Sequence, residues 1–202
     1  MDFDKAVEAG LITIIGKDID EAYLGAVMAC QVCPDALKEQ GDSLNIIYTP
    51  LHGAGYKLVP EVLKRAGVTN LRIVPSQAEP DGSFPTVKSP NPESKECFKD
   101  GLDIALASDK DCDLLLATDP DSDRVGILVR DKNGEYQAVN GNQTGVLMLD
   151  YLIGAMRRAG KMPENPVALK TIVTTEMARK VAEANGIKCF DTFTGFVFDA
   201  LG

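Results

Sequence analysis

The chain lacks long apolar runs, an excess of basic residues and more than one histidine. No apolar stretch approaches the roughly 18 residues of a membrane-spanning helix, and the start MDFDKAVEAG is too acidic for a secretory signal. The formal net charge is −9, whereas nucleic acids and anionic membranes bind basic surfaces. Composition therefore argues against nucleic-acid and membrane partners and favours a cytoplasmic protein.

The five cysteines lack the spacing of a zinc site. One pair, Cys30 and Cys33, has the C-x-x-C spacing of redox motifs, but it comes late in a helical pattern and Pro34 follows it. We interpret this pair as two packing thiols, with a redox pair as the alternative, and all five cysteines as reduced.

The sequence does contain three acids at alternating positions, Asp119, Asp121 and Asp123, in the loop DPDSDR. An apolar run ends at Ala117 just before this loop, so the acids should lie at the C-terminal end of a buried strand. Carboxylates held close together repel one another unless a cation lies among them. With no His or Cys nearby, oxygen ligands indicate Mg²⁺, Mn²⁺ or Ca²⁺ rather than zinc.

Two other interpretations of the loop can be compared with this one. An EF-hand needs Gly at its sixth position and Glu at its twelfth, where this chain has Arg124 and Arg130. A solvated acidic turn would explain the Asp and Pro residues by turn propensity alone. A cation beside Arg124 suits a phosphate ester, because a guanidinium can bind phosphoryl oxygens bidentately.

The loop DPDSDR resembles the metal-binding D-[GP]-D-x-D-R loop of the α-D-phosphohexomutases, which include phosphoglucomutase and phosphomannomutase. Residues 48–55, YTPLHGAG, resemble the strand and glycine-rich turn of that family's second domain, and residues 84–93, FPTVKSPNPE, resemble its proline-rich segment. The order and spacing of the three segments also agree. The resemblance covers residues 12–140 and is closest to the phosphoglucomutase and phosphopentomutase branch.

This resemblance implies a sugar-phosphate mutase that uses Mg²⁺, with Mn²⁺ as a substitute. Asp119, Asp121 and Asp123 would be ligands of the ion, and Arg124 would be the catalytic contact to the phosphoryl group. The substrate would be a hexose or pentose phosphate. Phosphoryl transfer between a phosphoserine and a sugar hydroxyl would proceed through a bisphosphate intermediate.

The resemblance also implies that the chain is a fragment: the whole second domain and part of the third. The serine loop of the first domain, the phosphate loop of the fourth and the sugar-reading loop of the third have no match, so the isolated chain should be inactive. Thr194 and Gly195 resemble the start of a substrate-binding T-G-[FWH] segment. Val197 stands where that family usually has Lys, which departs from the pattern.

Two further residues are candidates for binding or catalysis. His52 in the glycine-rich turn could be a general base or a phosphate donor, or it could simply cap or pack the turn. Lys88, in the long loop 75–92, could contact an anionic substrate or be a solvated lysine. We assign no catalytic role to His52.

The sequence predicts an α/β protein with a three-layer mixed-sheet domain over residues 1–139 and an incomplete α/β domain over 140–202. The first domain is expected to have strands at 11–15, 44–48, 70–74, up to 117, 125–130 and 135–139, and helices at 18–33, 56–66 and 92–108. Asp18 to Glu21 resemble a capping box, and Asn133-Gly134 indicates a hairpin. The second is expected to have helices at 143–159 and 176–185 and strands at 167–174 and 187–190.

Two alternative functions belong to other classes. The chain could be a non-catalytic cation- or phosphate-binding module that acts by association with other chains, because an incomplete domain would expose a sheet edge and apolar surface. It could instead be a phosphatase with an aspartyl nucleophile, but Arg124 would then have no role.

Overall fold

The computed structural model of the chain describes residues 2–108 and 111–194. The α-helices in these ranges are α1 (Phe3–Glu8), α2 (Lys17–Ala29), α3 (Pro34–Gln40), α4 (Gly55–Ala66), α5 (Lys99–Leu106), α6 (Gly141–Arg158) and α7 (Glu176–Ala184). The strands are β1 (Asn45–Thr49), β2 (Asn70–Ile73), β3 (Leu114–Thr118), β4 (Val125–Arg130), β5 (Tyr136–Val139), β6 (Val167–Thr171) and β7 (Lys188–Thr192). Short 3-10 helices occupy Pro75–Gln77 and Lys95–Phe98. None of the described helices is both long and apolar enough to cross a membrane.

The first five strands form one mixed sheet in the order β2-β1-β3-β4-β5. Strands β2, β1 and β3 are parallel, whereas β4 and β5 are antiparallel to their neighbours. Because β2 and β3 lie on opposite sides of β1, right-handed connections place α4 and α5 on opposite faces of the sheet. The result is the predicted three-layer α/β architecture, with the predicted hairpin between β4 and β5.

Strands β1 and β3 are buried along most of their length, since helices cover both of their faces. Ile47 and Leu115 face α5, where Gly101 lets the helix approach closely. Complete burial of a side chain of this size stabilises the fold by about 1.5–3 kcal/mol. The core on this face consists of Ile47, Leu51, Val74, Cys97, Phe98, Ala105, Cys112, Leu115, Ala117 and Leu128.

The N-terminal region differs from the prediction. The strand predicted at 11–15 is wrong: no strand forms there in the described part of the chain, and α1 precedes the segment. The backbone N–H groups of Leu11 and Ile12 donate to the Ala6 carbonyl at the end of α1. A strand needs a paired neighbour, and residues 11–15 join neither edge of the sheet.

Two predicted helix boundaries also differ. The helix expected at 18–33 ends at Ala29, and Pro34 starts the separate helix α3. The N-cap of α2 is Gly16, which makes no side-chain capping bond, so the capping box predicted at Asp18 to Glu21 is wrong. The helix expected from residue 92 begins only at Lys95, as a 3-10 turn, and becomes α-helical at Lys99.

The second unit contains the two predicted helices, α6 and α7, and two strands that pair as a parallel sheet, β6 and β7. The strand predicted at 167–174 ends at Thr171. Helix α6 starts at an Asn140 capping box, in which the side chains of Asn140 and Gln143 each accept a backbone N–H from the other residue. Its buried core is small, comprising Ile153, Ala182 and Ile187.

Candidate metal centre

The loop 119–124 connects β3 to β4 and is closed by its own backbone. The N–H of Ser122 donates to the carbonyl of Asp119 at 3.0 Å, and the N–H of Asp119 donates to the carbonyl of Arg124 at 3.4 Å. Ser122 has a φ of 62°, in the left-handed region. These bonds bring the three acids into one tight turn at the C-terminal end of β3.

Asp119 is fully buried and fixes the geometry of the loop. Its Oδ1 accepts the backbone N–H of Arg124 at 2.9 Å, and its Oδ2 accepts the Nε–H of Arg124 at 2.8 Å. Burial raises the pKa of Asp119, but the hydrogen bonds from Arg124 outweigh burial and hold that pKa below its usual range. Asp119 is therefore an oriented carboxylate at neutral pH.

Asp121 and Asp123 are exposed, and one carboxylate oxygen from each lies within 4.8 Å of the others and of an Asp119 oxygen. The pKa of Asp123 is raised, first by the hydrogen bond that its carboxyl shares with Asp119 and then by the charges of Asp121 and Asp119. The arrangement thus concentrates negative charge in a small volume at the protein surface.

This donor set fits a hard divalent cation. Magnesium binds oxygen at about 2.1 Å and so spans about 4.2 Å between opposite ligands, and calcium spans somewhat more. The carboxylate oxygens of the three acids, which lie within 4.8 Å of one another, are close to these spans. All three donors are carboxylate oxygens, which favours magnesium, manganese or calcium over zinc.

Arg124 points to the ligand that such a site would hold. In the described residues both ion pairs of Arg124 use Nε, at 2.8 Å to Asp119 and 3.7 Å to Asp123. The side chain is 56% exposed although its Nε is held by Asp119. A guanidinium held in this way can bind two oxygens of a phosphoryl group next to the cation site.

The glycine-rich turn 49–55 lies directly against the acidic loop. The N–H of Ala54 donates to the Pro120 carbonyl at 2.8 Å. A Cβ added to Gly53 would lie 2.4 Å from Pro120 Cα, and one added to Gly55 would lie 2.8 Å from Ser122 Oγ. Only glycine allows this approach at either position. Sequence reasoning identified the turn and the loop separately but did not pair them.

His52 is not part of the acidic cluster. It is 5% exposed and its ring nitrogens contact Thr86 Oγ1 and the Glu79 carbonyl, which favours the packing role over the catalytic one. Lys88 is exposed in the proline-rich loop. All five cysteines carry free thiols, as predicted, but Cys30 is exposed, so its interpretation as a packing thiol is wrong.

The second unit places one unpredicted charged cluster at the C-terminal ends of its strands. The Lys170 side chain is 4% exposed, and Nζ donates to Glu176 at 2.7 Å, to Asp191 at 2.8 Å and to the Thr174 carbonyl at 3.2 Å. The signal that could have revealed it is a lone lysine within the apolar strand VALKT. Thr194 lies exposed just beyond β7, and Gly195 and Val197 lie outside the described residues.

Comparisons with known proteins agree with this architecture. Residues 21–134 match the model for phosphoglucomutase/phosphomannomutase alpha/beta/alpha domain II, and residues 140–199 match the model for domain III. A phosphoglucomutase of Staphylococcus aureus strain N315 is 36% identical over 157 residues, which are 78% of this chain and 27% of the relative. The chain thus spans about a quarter of the length of that relative.

Solved structures show the same fold at lower identity. Parafusin (pp63), a phosphoglucomutase from Paramecium in its open form, has a TM-score of 0.60 at 21% identity, covering 89% of this chain and 30% of that one. An Aspergillus fumigatus N-acetylphosphoglucosamine mutase in complex with GlcNAc-6P and magnesium has a TM-score of 0.52 at 16% identity, covering 75% and 31%. With both domain models matched in order over most of its length, the chain belongs to the phosphoglucomutase/phosphomannomutase family.

Proposed function

We propose that this chain is the metal-binding central segment of a Mg²⁺-dependent sugar-phosphate mutase, in which Mn²⁺ can replace Mg²⁺. The observation that carries the proposal is the set of three carboxylates within 4.8 Å of one another beside a held but exposed Arg124. The reaction would interconvert a hexose 1-phosphate and 6-phosphate through a phosphoserine and a bisphosphate intermediate. The names of the Staphylococcus relatives support this reaction class.

Each residue of the loop has a separate task in this proposal. Asp119 supplies a preoriented ligand, because two hydrogen bonds fix both of its oxygens. Asp121 and Asp123 complete the protein ligands, and Arg124 binds and orients the phosphoryl group with its terminal nitrogens. When bound, the ion supplies Lewis-acid stabilisation of charge on the phosphoryl oxygens. Positioning and electrostatics are the main contributions of a protein to phosphoryl transfer.

The substrate, a hexose or pentose phosphate, would also contact the second unit. We propose that Thr194 and Gly195 bind the sugar phosphate and that the boundary between the two family domains lies at 139/140. The Aspergillus neighbour holds GlcNAc-6P and magnesium together, which supports a joint role for metal and sugar phosphate.

Five free thiols support a cytoplasmic location for the protein.

The chain would need the rest of the enzyme for turnover. It spans about a quarter of the length of its curated relatives, and the serine loop that the family uses has no match in it. We therefore expect no mutase activity from the purified 202-residue chain. Turnover of glucose 1-phosphate well above background would contradict this expectation.

Manganese binding measured by electron paramagnetic resonance tests the site directly. The wild-type chain should bind one Mn²⁺, and Asp121→Asn should weaken binding by roughly 10-fold or more because it removes one of three charged ligands. Asp150→Asn, which removes an exposed carboxylate from α6, is the matched control and should bind as the wild type does. Equal binding by all three proteins would refute the proposed site.

A second candidate is a non-catalytic cation- or phosphate-binding module that acts by association. It is favoured by large exposed apolar side chains, including Leu11, Ile14, Ile15, Leu169 and Phe190, which are 50–70% exposed. In the mutase proposal the same surfaces would pack against the parts of the enzyme that this chain does not include, which are the rest of the third domain and the first and fourth domains. Light scattering distinguishes self-association from this: a monomer mass independent of concentration would contradict the associating module.

A further inference from the structure

We infer that a hydrogen-bonded group of four polar side chains, the buried Thr49, Gln77 and His52 and the exposed Thr86, positions the metal-binding loop, and that His52 is a positioning residue for the cation site. We call these four residues the polar relay. The inference rests on the proposed function of loop 119–124, and it gives a role to the one histidine of the chain that the proposed chemistry does not use.

The hydrogen bonds of the polar relay run from Thr49 to His52. Thr49 Oγ1 accepts the N–H of Leu51 at 3.1 Å and donates its own proton to Gln77 Oε1 at 2.7 Å. The amide nitrogen of Gln77 is thereby turned to Thr86 and donates to its Oγ1 at 3.0 Å. The same Oγ1 is hydrogen-bonded to His52 Nε2 at 2.9 Å, so Thr86 connects Gln77 to His52.

Both ring nitrogens of His52 have a partner in the segment 79–86. Nε2 lies 2.9 Å from Thr86 Oγ1, and Nδ1 lies 3.4 Å from the Glu79 carbonyl oxygen. The ring also meets Phe84 edge to face, with centroids 6.5 Å apart. His52 therefore connects the glycine-rich turn to residues 79, 84 and 86 of the proline-rich loop.

The backbone of His52 needs this support. Its φ is 60° and that of Leu51 is 48°, two consecutive non-glycine residues in the left-handed region. A non-glycine residue in this region is strained and persists only where surrounding contacts fix it. The backbone of His52 is held on both sides, since its N–H donates to the Gln77 carbonyl at 3.0 Å and its carbonyl accepts the N–H of Asp81 at 3.1 Å.

The residues that follow His52 connect its backbone to the metal-binding loop 119–124. Gly53 packs so closely on Pro120 that a Cβ would lie 2.6 Å from the Pro120 oxygen. The next residue, Ala54, donates its N–H to that same oxygen at 2.8 Å. Pro120 stands between the ligands Asp119 and Asp121, so a rotation of the turn at His52 would move the backbone that separates these two ligands.

Three of the four residues of the relay are buried. Thr49, Gln77 and His52 are 2%, 1% and 5% exposed, so a polar atom of theirs that loses its partner is left unsatisfied, which is unfavourable. Thr86, which connects Gln77 to His52, is exposed. We therefore expect the order of the metal-binding loop 119–124 to depend on side chains that do not contact the ion.

The test compares four variants of the full 202-residue chain. Thr86→Val keeps the shape of the side chain and removes the hydroxyl at the centre of the relay. His52→Leu removes both ring nitrogens, and His52→Gln restores an acceptor for the Thr86 hydroxyl. Ser89→Ala changes an exposed hydroxyl of the same proline-rich loop and is the matched control.

Two readouts are measured on each protein: amide hydrogen exchange of peptides covering 118–126 without metal, and Mn²⁺ affinity by electron paramagnetic resonance. Thr86→Val and His52→Leu should speed exchange in 118–126 roughly tenfold and weaken Mn²⁺ binding roughly tenfold. His52→Gln should recover most of both, and Ser89→Ala should match the wild type. If His52→Leu fails to fold, Thr86→Val with its matched shape decides the result.

Faster exchange confined to 49–56 and 76–87, with 118–126 and Mn²⁺ affinity unchanged, would overturn the inference and leave the relay as local packing. Failure of the proposed function gives a different result, because a wild-type chain that binds no Mn²⁺ refutes the cation site. In that case the exchange rates of 118–126 still decide whether the relay positions the loop.

Discussion

The contact between Gly53 and Pro120 allows a sharp test of how the glycine-rich turn supports the metal loop. In Gly53→Ala the new Cβ would lie 2.4 Å from Pro120 Cα, 2.6 Å from its oxygen and 2.8 Å from its carbonyl carbon. Ordinary carbon contacts are about 3.5–4.0 Å, so the two segments must separate by about 1 Å. All three atoms belong to backbone, and no side-chain rotation can relieve the clash.

The cost of Gly53→Ala can be assembled from these contacts. Overpacking costs about 1–3 kcal/mol, and loss of the hydrogen bond from Ala54 to Pro120 adds about 1 kcal/mol. Alanine has less backbone entropy than glycine in the unfolded chain, which offsets about 0.4–1 kcal/mol of this loss of stability. The net loss of roughly 2–3 kcal/mol corresponds to a fall in Tm of about 4–12 °C for a chain of this size.

Thermal unfolding followed by circular dichroism measures the loss, and Mn²⁺ binding measures its effect on the site. Gly82→Ala is the matched control, because a Cβ at Gly82 meets no atom within 4 Å, and it should unfold within about 1 kcal/mol of the wild type. We expect Gly53→Ala to unfold earlier and to bind Mn²⁺ more weakly. A Gly53→Ala protein with wild-type Tm and wild-type Mn²⁺ affinity would refute the proposed support of the loop by the turn.

Three further predictions concern other parts of the chain. Hydrogen bonds from Lys170 and Arg179 lower the pKa of Glu176, so Glu176→Gln should lower Tm at pH 7, and the difference should vanish as pH falls below about 4. Burial raises the pKa of Tyr48 to about 12. The neutral phenol therefore stabilises the folded state fully below about pH 10, and this stabilisation is lost as the pH rises towards 12. Tyr48→Phe should abolish that alkaline loss and, by removing the hydroxyl bond within the buried core, cost about 1 kcal/mol at pH 7 in denaturant unfolding. Gly145→Ala, inside α6 with no atom within 4 Å of the new Cβ, should raise stability by about 1 kcal/mol, and an unchanged or lower unfolding midpoint would contradict it.

The order of most helices and strands could be predicted because their signals are local. The antiparallel strands β4 and β5 follow from their apolar runs and the Asn133-Gly134 turn, and α4 from its amphipathic pattern and its stop at Gly67. The segment 11–15 shows the limit of such reasoning. It has the composition of a strand, but pairing is a tertiary property, and the described sheet offers it no partner.

The candidate metal centre shows the same division between features that local sequence predicts and features that depend on tertiary structure. The spacing of Asp119, Asp121 and Asp123 was enough to predict a cation site for oxygen-preferring metals, and the neighbouring Arg124 was enough to predict a phosphate ester. The burial of Asp119 beside two exposed acids was not predictable, because it depends on where β3 ends relative to the rest of the sheet. Its two hydrogen bonds to Arg124, which make it an oriented ligand, depend on the same turn.

The sequence by itself determined the α/β class, and it predicted a two-part organisation and a cation-binding loop, because all three predictions rest on composition, periodicity and short spacings. Only the tertiary structure decided what holds that loop in place. Residues Gly53 and Pro120 are 67 positions apart in the printed chain, and His52 meets Thr86 across another 34. Contacts over such separations depend on how the sheet is assembled, which no local pattern of residues records.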